Sequence, residues 1–186
     1  MDLPYSRDVE IVQLLASPIH RYEGRPADGP IAAPEGESRE SIELRAGLGV
    51  VGDRHFGRPA HRPASVTLQA AESLDRLAEK LALDHVPDLT QTRRNILIRG
   101  VDLDALVGAE LELDSGDGPV RIKIHHDAKP CAWMDVVIAP GSHKGLRGRG
   151  GVRGEPLTDG LLRVGPARLR SSMPLSDAAP RENALF

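Results

Sequence analysis

A mainly β fold, a barrel or rolled sheet with a few helical insertions, is predicted by three observations on this 186-residue chain. Short β-branched or alternating segments recur along its whole length. Turn formers separate them, with 19 Gly and 15 Pro. Only one segment keeps helical periodicity over several turns. The length suits one domain, read as residues 9–171, with 1–8 and 172–186 as tails.

The elements follow in order. VEIVQLLASP (Val9 to Pro18) is apolar, β-branched and closed by proline, the pattern of a buried strand. From Arg21 to Glu40 the chain turns to Gly, Pro, Ala and charge without periodicity, which predicts a mobile surface loop that either closes over a site or hangs free. Ile42 to Leu44 and Val50 to Val51 are short strand pieces around Gly47 and Gly49, and ASVTLQ (Ala64 to Gln69) is another strand. In QAAESLDRLAEKLAL, Ala70, Ala71, Leu74, Leu77, Ala78 and Leu81 recur at helical spacing, and Glu72 and Arg76 stand i,i+4 on the polar face.

RRNILIRG (Arg93 to Gly100) reads as a strand, DLDALVG as a short helical turn, and AELELD (Ala109 to Asp114) as an alternating strand. The turn SGDGP joins the last to VRIKIHH (Val120 to His126), so the two make a hairpin. Pro130 to Val137 starts a helix, since proline is tolerated in a first turn. After the glycine-rich run GLRGRGGVRGE, LLRVGPARLR (Leu161 to Arg170) closes the pattern with one or two strands.

Composition excludes several classes. A formal charge of -3 argues against a general nucleic-acid binder. MDLPYSRD lacks the basic and apolar regions of a signal segment, and no run approaches the roughly 20 apolar residues that cross a bilayer, so a soluble cytoplasmic protein with no membrane partner is expected. The single cysteine makes neither an internal disulfide nor a thiolate-rich cluster. Twenty of the 24 basic residues are Arg, a bias that arises from genomic base composition or from planar, two-pronged recognition of phosphate and carboxylate.

Four places hold polar residues that propensity does not explain. The turn GDRH can set Asp53 as orienter of Arg54 or His55. In RRN, Arg94 or Asn95 either caps a solvated strand or lines a cleft and donates to an anion; alternation puts Asn95, Leu97 and Arg99 on the side opposite Ile96 and Ile98. HKGLRGRGGVR (His143 to Arg153) carries Lys144, Arg147, Arg149 and Arg153 with no acid, as an anion cradle or a solvated basic loop. It has neither P-loop nor dinucleotide spacing. The fourth, HHDAKPCAWMD, contains Cys131, which packs as a small hydrophobe, binds a metal or reacts. A helix start, with Lys129 and His126 nearby, would lower its pKa. Zinc bound by His125, His126, Cys131 and His143 is a weaker reading, because adjacent strand residues face opposite ways.

GVVGDRHFG, ASVTLQAAE, RRNILIRGVDLDALVGAELEL, PCAWMD and GLRGRGGVRGEPLTDGLLRVG, in that order, resemble the MOSC domain, the module named from the C-terminal part of molybdenum-cofactor sulfurases. The resemblance spans roughly Val9 to Arg170 and implies a β-barrel that binds molybdenum cofactor, a molybdopterin whose dithiolene holds the metal and whose phosphate needs an anion site. It makes Cys131 the catalytic thiol, as metal ligand or as carrier of persulfide sulfur. Asp53, Arg54, His55, Arg94 and Asn95 become pocket residues, and Arg149, Gly150, Gly151 and Arg153 contacts to phosphate or pterin. Arg153 stands where the family often has an aromatic, and Gly165-Pro166 replaces a closing Gly-Asp.

Related members reduce N-hydroxylated bases and amidoximes with electrons from separate proteins. The expected function is therefore reduction of such a small-molecule substrate with an electron-donor protein. The alternatives are a non-catalytic sulfur carrier charged by a cysteine-desulfurase-like donor and a cofactor-free binding module. The chain shows no flavin or nicotinamide fingerprint, and PLP is not expected among its four scattered lysines.

Overall fold

In the computed structural model, which describes residues 2–178, seven strands close into a mixed β-barrel. They are β1 (Tyr5–Leu15), β5 (Val66–Ala70), β6 (Ile96–Arg99), β7 (Glu110–Asp114), β8 (Val120–Asp127), β9 (Val152–Pro156) and β11 (Gly165–Ser171). Around the barrel they run β1-β11-β7-β8-β9-β5-β6 and back to β1. The short β2 (Ser38–Arg39) adds to the end of β1, while β10 (Gly160–Arg163), β3 (Ser41–Arg45) and β4 (Gly49–Val50) form a separate three-stranded sheet.

Every barrel neighbour is antiparallel except β5 and β6. A parallel pair cannot be joined by a tight turn. The connection is made by the expected amphipathic helix α1 (Ala71–Leu81) and by α2 (Leu89–Thr92), which opens on an Asp88 and Gln91 capping box. Ile11, Leu68, Ile96, Ile98, Leu111, Ile122 and Ile124 fill the barrel. A second apolar cluster lies outside it: Leu74 and Leu77 of α1 cover Leu15 and Leu97 together with Trp133, Met134 and Leu146. The outward side of β6 is thus a helix-covered face. Glu72 of α1 accepts from the Gly100 amide at 2.7 Å, at the end of β6.

Four expectations are adjusted. β1 begins at Tyr5, so residues 5–8 of the presumed tail pair with Arg168–Ser171. The strand after RRN starts only at Ile96, because Arg93, at φ 61, is the left-handed cap of α2. The proline-led helix contracts to α3 (Trp133–Val137), followed by α4 (Ser142–Gly145). Within the presumed glycine-rich loop runs β9, where a Cβ on Gly154 would stand 2.2 Å from the Lys123 carbonyl oxygen of β8. Glycine there serves strand approach. Among the described residues no helix is long and apolar enough to cross a membrane.

Candidate functional site: an arginine-lined hollow beside the Cys131 loop

The hollow is organised by the GDRH turn, the start of β6 and the segment after β1. The Asp53 carboxylate is fully engaged as a brace. Its Oδ1 accepts from the His55 amide at 3.0 Å, and its Oδ2 accepts from Asn95 Nδ2 at 3.1 Å and the Ser17 amide at 3.4 Å. Asn95 gives its other amide hydrogen to the Leu15 carbonyl at 3.1 Å, while its Oδ1 accepts from both the amide and the hydroxyl of Thr67. Asn95 therefore clamps β1, β5 and the turn together, and its donors are spent on protein.

The arginines differ in what they leave unused. Arg54 donates Nε to His55 Nε2 at 3.0 Å and no other side-chain hydrogen bond. Burial, with Arg93 and Arg153 adding to it against Asp53, lowers its pKa. Arg93 pairs with Glu37 at 2.7 Å, both side chains almost fully buried, yet its Nε and Nη2 have no partner. Arg153 lies on β9 opposite Thr67, half-buried, and its guanidinium has no hydrogen bond or ion pair among the described residues.

Arg94 is committed elsewhere. It donates to the carbonyls of Gly150 and Ala128, both at 2.9 Å, with longer contacts to Thr92 and Lys129. Burial first, then the nearby Arg153, bring its pKa down to about 10, so it stays charged at neutral pH.

These four arginines, with Asp53, Asn95 and Thr67, wall a hollow of about 260 Å³. A wider neighbouring hollow of about 610 Å³ shares Arg54 and three imidazoles, His20, His55 and His61, and adds the apolar Ile19 and Ile31. The His55 and His61 rings lie 4.5 Å apart. Burial, and then Arg54, push His55 down to about 4. The ring is therefore neutral near pH 7, with Nε2 accepting from Arg54 and a buried, unpartnered Nδ1.

Cys131 is exposed, between β8 and α3, and is in the wall of neither hollow. What links it to them is Arg94, which holds the carbonyls of the Ala128–Lys129 approach. A charge on the Cys131 sulfur acts on both Arg94 and Tyr22. Tyr22 stacks on Trp133 of α3 at 5.2 Å and donates to the Gln91 carbonyl. Arg21, from the same loop, donates to the Ile31 and Thr90 carbonyls. The 21–40 segment thus rests on α2 and α3.

The presumed anion cradle divides. Arg153 reaches the hollow, whereas Arg149 lies in clefts beside α1 with Arg76. Gly150 and Gly151 serve close packing. A Cβ on Gly150 would meet the Ala128 oxygen at 2.0 Å, and one on Gly151, at φ 87, the Leu68 oxygen at 2.1 Å; the Gly151 amide is taken by Asp104. A bulge between Ile124 and His126 sets the His125 and His126 rings 6.1 Å apart, against the alternation expected of an unbroken strand. His125 contacts Glu155, and no group of three or more His, Cys, Asp or Glu among the described residues could hold a metal ion. The zinc reading has no ligand set.

Sequence reasoning missed Arg93, Thr67, His20 and His61 as lining residues and Glu37 behind them. Arg93 stood in the RRN motif, and Thr67 in a strand already identified, but the pairing of Arg93 with Glu37 crosses a loop without periodicity.

No protein-family profile matches the chain, and no curated protein matches it in sequence. Solved structures do share the fold. The YuaD protein from Bacillus subtilis is 15% identical with a TM-score of 0.69, over 90% of this chain and 98% of that one. YiiM from Geobacillus stearothermophilus is 11% identical with a TM-score of 0.56, over 95% and 78%. YiiM from Escherichia coli is 13% identical with a TM-score of 0.52, over 94% and 72%.

Proposed function

We propose that this MOSC-like domain binds molybdenum cofactor with its phosphate in the arginine hollow and reduces N-hydroxylated substrates beside Cys131. The observation that carries the reading is that hollow: four guanidiniums, one carboxylate already spent as a brace, and a direct tie through Arg94 to the loop of the only cysteine. Likeness to YuaD and YiiM, proteins of MOSC-domain type, supports it at the level of fold.

The residues fit a phosphate-bearing pterin. The unused donors of Arg54, Arg93 and Arg153 offer two-pronged contacts to an anion. Buried donors without partners, Arg93 Nε and Nη2 and His55 Nδ1, call for a polar guest or water. The adjoining hollows, about 260 and 610 Å³, together match the roughly 300–1,000 Å³ of small-molecule sites. The soft Cys131 sulfur suits a molybdenum ligand.

When bound, the cofactor would supply the redox chemistry that cleaves an N–O bond. The reaction takes two electrons and two protons, and yields the amine or amidine and water. In this reading Arg54, Arg93 and Arg153 hold the phosphate, Arg94 fixes the Cys131 loop, and neutral His55 orients Arg54 by accepting from its Nε. A separate donor supplies the electrons.

A second reading, a sulfur carrier with persulfide on Cys131, is favoured by the exposure of that thiol. Elemental and pterin analysis of protein from a molybdate-fed host tests both. The reductase reading expects molybdenum and pterin in wild type, less pterin in Arg153→Ala, and loss of metal or activity in Cys131→Ala. Cyanide-labile sulfur on metal-free protein instead favours the carrier. Absence of all three from a host competent in cofactor synthesis refutes both.

A further inference from the structure

We propose that Glu37 is a positioning residue that sets the charge of the arginine hollow through Arg93, so that the hollow takes a dianion such as a phosphomonoester and gains nothing from a more highly charged polyphosphate. The inference rests on the phosphate site of the proposed function and needs neither the metal nor Cys131. Glu37 is not in the wall of the hollow. It stands behind Arg93, where its Oε1 accepts from Arg93 Nη1 at 2.7 Å, both side chains almost fully buried. The pair is half-made: Glu37 Oε2 and Arg93 Nε and Nη2 are buried without partners, so the two meet through one hydrogen bond where two-pronged contact is the stronger form. Glu37 holds one end of the guanidinium and leaves the Nε–Nη2 edge for a guest.

Charge, and not space, has to do the selecting. The hollow of about 260 Å³ shares His20, Arg54, His55 and His61 with its neighbour of about 610 Å³, which leaves room for a longer polyphosphate. Arg54, Arg93, Arg94 and Arg153 stand in the wall against Asp53 in the wall and Glu37 behind it. Four cations less two anions leave a formal +2, imidazoles aside, and a dianion cancels it. Asp104 also acts on Arg94, but from the cleft beside α1. Of the two carboxylates, Asp53 is the brace for His55, Asn95 and Ser17, and losing its charge would dismantle the site. Glu37, with a single side-chain hydrogen bond, is the one whose charge tunes the hollow.

A bound anion and Glu37 share one guanidinium and repel across it, so each weakens the hold of the other by the same factor. Glu37 lies near the end of the 21–40 segment. Its carbonyl accepts from the Ala16 amide at 3.0 Å, and the next two residues, Ser38 and Arg39, pair with Leu15 and Leu14 as β2. An anion in the hollow is therefore felt where this segment joins the barrel.

The test titrates inorganic phosphate, pyrophosphate and acetate into the full chain freed of cofactor, by calorimetry at about pH 8, with wild type beside Glu37→Gln. Gln keeps a carbonyl oxygen for Arg93 Nη1 and removes the charge. Wild type is expected to bind phosphate and pyrophosphate within about threefold of each other, and acetate about tenfold or more weakly. In the variant, phosphate should bind about fivefold or more tightly, with a further gain of about threefold or more for pyrophosphate. A Glu37 that only holds Arg93 in place predicts the opposite, weaker binding of every anion.

Weaker binding in the variant, an equal gain for all three anions, or a wild type that prefers pyrophosphate by more than about tenfold overturns the proposal and leaves the phosphate site standing. Absence of phosphate binding in wild type overturns both. Should Glu37→Gln fail to fold, wild type decides alone. Saturating phosphate should then speed hydrogen exchange at the Ala16 amide about threefold or more, and unchanged or slower exchange there refutes the coupling.

Discussion

Arg93, Arg94 and Asn95 are consecutive, yet they do three different things. Arg93 forms a buried ion pair with donors to spare, Arg94 staples two loops, and Asn95 clamps strands. The motif was legible in the sequence and the division of labour was not, because it depends on a left-handed residue at 93 that turns its side chain away from the strand rhythm. Arg94→Ala removes charged donors from the Gly150 and Ala128 carbonyls and should cost about 2–4 kcal/mol. Hydrogen exchange at the Ala128 amide, bonded to Gly151, should accelerate beyond the change in global stability. His55 carries a pH signature. Its folded pKa of about 4 lies below the ordinary imidazole value of 6.5, so the unfolded chain takes up the proton first as pH falls. The contribution is whole above about pH 6.5 and is lost on the way to pH 4; after solvent screening it is on the order of 1–2 kcal/mol. Urea denaturation at pH 7.5 and 4.5 should show a smaller loss for His55→Gln than for wild type.

At the scale of elements, periodicity reported what covers a core and missed what is held by polar contact. α1 and the β7–β8 hairpin were readable because their apolar positions repeat. β9 was not, because Gly154 within it and Gly150 and Gly151 just before it let backbones approach, and without side chains they blur the alternation. The 21–40 segment read as loose, but Glu37 at its end is buried against Arg93, and its amide neighbourhood is fixed by Ala16 donating to the Glu37 carbonyl at 3.0 Å. Glu37→Ala strands a buried guanidinium and should destabilise by about 3–5 kcal/mol. Replacing both partners by Met should recover much of that loss, since an apolar pair has no charge to desolvate. The comparison is made by denaturant midpoints at constant m-value.

For the molecule as a whole, the seam between β1 and β11 decides whether there is a barrel. Half of it, Tyr5–Asp8 against Arg168–Ser171, has a mostly exposed side-chain pattern, which is why hydrophobic reading placed the boundary at residue 9. Backbone pairing and the Arg168 contacts to Ser6 and Asp8 hold it instead. Deleting residues 2–8 also removes buried Leu3, and should lower the melting temperature by about 10 °C in calorimetry. The barrel class itself was legible, since many short strands with one clear helix bury their apolar sides most simply by curling the sheet around them. The same seam sets a timetable for synthesis. On a ribosome the nascent sheet has bare edges along β1 and β7 until Ser171 has left the exit tunnel, because β11 is the strand that both of them await. A message truncated before β11 would therefore yield an open sheet prone to pair with its neighbours on the polysome, and not a shorter barrel.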